Sequence, residues 1–83
     1  MRLEYDPTAD GIYIYFNRKR RSFRTKKFPC KHSVILVDYD KEDNPIGVEI
    51  LGTRAGIDLA GLPREEEIVA LLQAHGFKVL ASH

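Results

Sequence analysis

Residues 33–51, SVILVDYDKEDNPIGVEIL, constrain the fold of this chain more than any other stretch. Two runs rich in valine and isoleucine flank a polar, acidic turn, which is the pattern of a β-hairpin. Asp43-Asn44 is the expected tight centre, because Asp and Asn tolerate the left-handed region better than most residues, and Pro45 confines the turn further. Beyond it, Ile46, Val48 and Ile50 face one way while Gly47 and Glu49 face the other. A shorter echo stands in residues 3–16, LEYDPTADGIYIYF, where an apolar strand ends in Tyr-Asp, breaks at Pro, Asp and Gly, and resumes as an alternating strand.

The chain of 83 residues is long enough for one small domain, spanning 1–83. A hydrophobic fraction of 43% beside 30% charged residues fits a soluble globular protein and argues against disorder. Arg2, Glu4 and Asp6 interrupt any apolar leader, and no run approaches the roughly 18 apolar residues of a membrane span. The single cysteine, Cys30, excludes an internal disulfide and suits a reducing compartment. A cytoplasmic protein of prokaryotic style is expected.

Turn chemistry and alternation give the rest of the order. Arg2–Tyr5 reads as a first strand, residues 6–11 as a turn, and Ile12–Phe16 as a second strand that is apolar or aromatic on both faces. Ser22–Phe28 is a lysine-rich strand suited to a sheet edge and ended by Pro29. Five strands with short connections predict an antiparallel β-meander over 1–51. Pro63 and the run Glu65-Glu66-Glu67 open a helix predicted over 62–76. Its packing stripe is Ile68, Leu71, Leu72 and His75, and Gly76 closes it. Residues 77–83 form a last short strand or a tail. The fold class is therefore α+β, with one C-terminal helix packed on the sheet.

The residues Tyr5-Asp6-Pro7, Ala9-Asp10, Ile12-Tyr13-Ile14, Thr25, Val37-Asp38-Tyr39-Asp40 and Ile46-Gly47-Val48-Glu49-Ile50-Leu51 carry a likeness. In them the chain resembles the small prokaryotic domain of unknown function 2283 family over about residues 1–51. The resemblance implies a small antiparallel sheet and brings no established activity with it. The chain departs from the family's pattern in its more basic middle hairpin and in Pro45, where a glycine-containing turn is usual.

Charge is strongly segregated. Eight of the thirteen basic residues (Arg18, Lys19, Arg20, Arg21, Arg24, Lys26, Lys27 and Lys31) fall between Asn17 and His32 with no acid among them. The rest of the chain holds five basic residues against twelve acidic ones. Such a block can steer an anionic partner, pair with the protein's own acidic turns, or meet a second copy. Arg18, Lys19, Arg20, Arg21, Arg24, Lys26 and Lys27 are the candidate contacts for an anionic partner. Phe23 and Phe28 either stack on exposed bases or belong to the core.

No reaction centre is legible. Asp38, Asp40, Glu42, Asn44 and Glu49 match positions 1, 3, 5, 7 and 12 of a calcium loop, but Asp43 stands where the sharp bend needs glycine. A solvated hairpin tip is the plainer reading. Asp6 and Asp10 read as turn formers, and Asp38 and Asp40, two apart, as neighbours lining a solvent edge. Cys30 and His32 supply too few ligands for zinc even with His75 and His83, so no metal and no cofactor is expected. The sequence thus predicts a non-enzymatic protein-interaction module, antitoxin-like in scale or self-associating, built on a basic hairpin and acidic turns. The alternative is sequence-independent RNA or DNA binding through Arg18–Lys31.

Overall fold

The computed structural model describes residues 1–17, 19–28, 30, 33–59 and 61–80. Five strands form one antiparallel sheet: β1 (Arg2–Asp6), β2 (Gly11–Tyr15), β3 (Arg24–Phe28), β4 (Val34–Tyr39) and β5 (Pro45–Leu51). One helix, α1 (Glu65–Ala74), follows, so the class is α+β. Among the described residues no helix is long and apolar enough to cross a membrane.

The strand order is β1-β2-β5-β4-β3, which corrects the simple meander. Strands β3, β4 and β5 run as neighbours, but β5 then pairs with β2, so the chain leaving β2 crosses to the far edge. Burial explains the choice. Strand β5 carries buried Ile46, Val48 and Ile50 and gains most from a neighbour on each side. Strand β3, with Arg24, Lys26 and Lys27 exposed, takes the edge where charge does no harm.

Alternation places Ile12, Ile14, Ile35, Val37, Val48 and Ile50 on one face of the sheet, each at most 1% exposed. Ile57, Leu59, Leu62, Ile68 and Leu72 close over that face and complete the core. The helix starts later than predicted. Pro63 lies in the preceding turn, and Arg64 enters the helix from the left-handed region (φ 56°). The three glutamates therefore occupy the first turn, where they favour the positive end of the helix. At the other end Gly76 adopts φ 82°, its N–H donating to Gln73 O and that of Phe77 to Leu72 O, a Schellman closure. Ile68 and Leu72 are buried and Leu71 half-buried, but His75 is exposed and does not pack. Its Nδ1 lies 2.9 Å from Leu71 O, a carbonyl of the last helical turn that also accepts the His75 backbone N–H. Beyond the helix, Val79 makes a single parallel bridge with Ile57 in place of a strand.

Candidate interaction surface

The second face of the sheet is built by the same alternation. Cross-strand partners share a face, so one row runs Arg2, Tyr15, Gly47, Asp38, Thr25 and the next Glu4, Tyr13, Glu49, Leu36, Lys27. Leu51 and Val34 continue it towards the end of β5. Tyr13 reaches diagonally across β5, and its hydroxyl donates to Asp38 Oδ2 at 2.5 Å. Thr25 Oγ1 donates to the other oxygen, Oδ1. One carboxylate thus ties β2, β4 and β3 together over the top of β5. Burial, and then the hydrogen bond to Asp38, push the Tyr13 phenol above its ordinary pKa, so it stays a proton donor. The Tyr13 and Tyr15 rings lie 4.5 Å apart between centroids. A shallow cavity of about 330 Å³ opens beside Tyr13, between Glu4, Asp6 and Glu49.

This crossing explains Gly47. A Cβ there would stand 2.8 Å from two ring carbons of Tyr13 and closer still to its hydroxyl, so only glycine lets the ring lie over the strand.

The acidic turns are structural anchors. Asp6 Oδ1 accepts from the N–H groups of Thr8 (3.0 Å) and Ala9 (3.4 Å), the turn-forming role expected of it. Asp10 does more than turn the chain. Its carboxylate takes the N–H of Thr53 at 2.9 Å and the Thr53 hydroxyl, with Arg54 at 3.9 Å. The Thr53 hydroxyl is the main reason its pKa lies below the ordinary value. Asp40 does not line a solvent edge with Asp38: it is 3% exposed. It stands one residue beyond the end of β4, at the start of the turn, where the alternation of the strand no longer applies. There it accepts from the N–H groups of Glu42 and Asn44, both at 2.9 Å, while Arg20 Nε stands 3.7 Å away. Asp43 holds the left-handed position at the tip (φ 64°). Among the described residues no three His, Cys, Asp or Glu side chains are grouped to hold a metal ion.

The backbone N–H of Asn44, foremost among these donors, sets the pKa of Asp40 below its ordinary value. A carboxyl depressed in the folded state adds stability that is complete above its unfolded pKa, about 3.9, and lost as pH falls through the lower folded value. The Asp40→Asn variant is therefore expected to melt below the parent at pH 7, with the gap closing as pH falls below the unfolded carboxyl value of about 3.9. Melting temperatures of both across that range check it.

The basic residues separate. Arg20 is held by Asp40 and Glu42, and Arg24 Nε by Asp43 at 2.9 Å with its guanidinium over Tyr39. Lys26 lies over Phe28, whereas Lys27, next along the strand, is on the opposite face in the row of Glu49. Lys19 and Arg21 are exposed. Phe28 packs against the core, and Phe23 is 67% exposed. Cys30 Sγ donates to Asp58 O at 3.0 Å, and burial raises its thiol pKa. Arg18, Pro29, Lys31, His32 and His83 lie outside the described residues, and with them the expectations placed on them. Sequence reasoning missed the Tyr13–Asp38–Thr25 network and the Asp10–Thr53 clasp. The signal for the first was Gly47, a small residue within an otherwise large-residue strand.

No curated protein and no solved structure matches the chain. A family model described as a protein of unknown function, DUF2283, matches residues 2–54, a span that holds all five strands and ends just past Thr53. On that match, which takes in well over half of its length, the chain belongs to the DUF2283 family.

Proposed function

We propose that this chain is a non-enzymatic protein-interaction module whose working surface is the sheet face that α1 leaves uncovered. The observation that carries this reading is the aromatic and apolar content of that face. Tyr13, Tyr15, Leu36 and Leu51 are half-buried there and Val34 exposed, with no described element lying over them. The partner is a protein whose surface sets apolar side chains against these rings and opposite charges against Glu4 and Lys27. Nucleic-acid binding through Arg18–Lys31 is the less favoured reading. Arg20 and Arg24 are already answered by carboxylates, and Lys26 and Lys27 point to opposite faces.

A photo-crosslinking residue at Val34, on the uncovered face, is expected to trap a single partner in the cells that make the protein. The same residue at Ala70, exposed on α1, is expected to trap none. Equal background from the two positions overturns the reading.

A further inference from the structure

We infer that the partner of the uncovered sheet face is a second copy of this chain, packed face to face about a two-fold axis parallel to the strands. The inference rests on the interaction reading above and names its occupant. Charge is distributed across this face from edge to edge. Strand β1 brings Arg2, Glu4 and Asp6 to one margin, acidic on balance, with Arg2 4.0 Å from Glu4 between exposed side chains, and β3 brings Lys27 to the other, where it has no ion pair among the described residues. Glu4 and Lys27 stand in the same row, Glu4, Tyr13, Glu49, Leu36, Lys27.

A two-fold axis along the strands exchanges the two margins and keeps each row in place. Glu4 of one copy then meets Lys27 of the other, twice, and Tyr13 meets Leu36. An axis across the strands would set Glu4 against Glu4, so the charge pattern selects the first. The usual crossing of about 30° between aligned sheets offsets the margins slightly, which the long lysine stem absorbs. Glu49 is the one opposing group, since β5 lies on the axis and brings it towards its own copy. Five strands about 4.8 Å apart and five residues of about 3.3 Å give roughly 400 Å² of projected face per copy. That is small for a stable interface, so the association is of the weak, reversible kind.

Sedimentation velocity of the full chain over a concentration series tests this. The parent is expected to dimerise reversibly. Glu4→Lys and Lys27→Glu, both at exposed edge positions, each weaken the dimer about tenfold, and the double exchange restores it. Glu49→Gln tightens it. A dimer that the double exchange fails to restore overturns this geometry. A parent that stays monomeric to about millimolar concentration overturns the second copy. If Val34 then still crosslinks to a product of another mass, the interaction module itself stands. If it crosslinks to nothing, both readings fall.

Discussion

Gly47→Ala is expected to lower the melting temperature by about 10–20 °C, although a strand interior ordinarily gains from the exchange. The new methyl would occupy the space of the Tyr13 ring, so the ring has to swing away from β5. That movement forfeits the hydrogen bond to Asp38 and leaves the carboxylate with Thr25 alone. A hydrogen bond to a charged group contributes about 1.5–3 kcal/mol, and the overpacking adds about 1 kcal/mol or more. The gain in strand propensity offsets less than about 1 kcal/mol of this. A net loss of about 2–3 kcal/mol remains, at roughly 4–8 °C for each kcal/mol in a domain of this size. The decisive comparison is the same exchange in a Tyr13→Ala background, where no ring crosses the strand and the loss should nearly vanish. An equal loss in both backgrounds would place the cause elsewhere than in the Tyr13 crossing.

Leu72→Ala tests the other side of the sheet and is expected to cost about 2–5 kcal/mol. Leu72 is fully buried, and with Ile68 it is the means by which α1 holds the core face. A domain of this size has only about 5–15 kcal/mol in total, so the variant should be close to its folding limit at physiological temperature. Urea unfolding checks this through a lower midpoint at unchanged slope, since the surface exposed on unfolding stays about the same. A midpoint equal to the parent's would mean that the helix does not hold the core.

What the sequence disclosed follows the range over which each feature is decided. The hairpin of β4 and β5, the Asp6 turn and the Ile68–Leu72 spacing are local, and residue pattern alone exposes them. The strand order is settled by competition among distant strands for the most apolar neighbour, and no local pattern encodes it. The clasp between Asp10 and Thr53 joins residues 43 apart. Asp40 falls otherwise than the alternation predicts because it lies one residue past the end of β4, where the N–H groups of the turn, not the pleat of the strand, aim its carboxylate. The cationic block reads as one ribbon in sequence, yet the strand divides Lys26 from Lys27 and the acidic hairpin tip takes up Arg20 and Arg24. Of the proposed surface, Tyr13, Asp38 and Glu49 were visible as residues, but their meeting across Gly47 was not.

The position of β5 has a consequence for synthesis. The last strand to leave the ribosome is the middle one of the finished sheet, so β1–β2 and β3–β4 emerge as two hairpins with no border in common. Neither can be extended until residue 51 is free, and each is marginal in water by itself. Assembly is thereby deferred to a single late event, in which one segment zips both halves together.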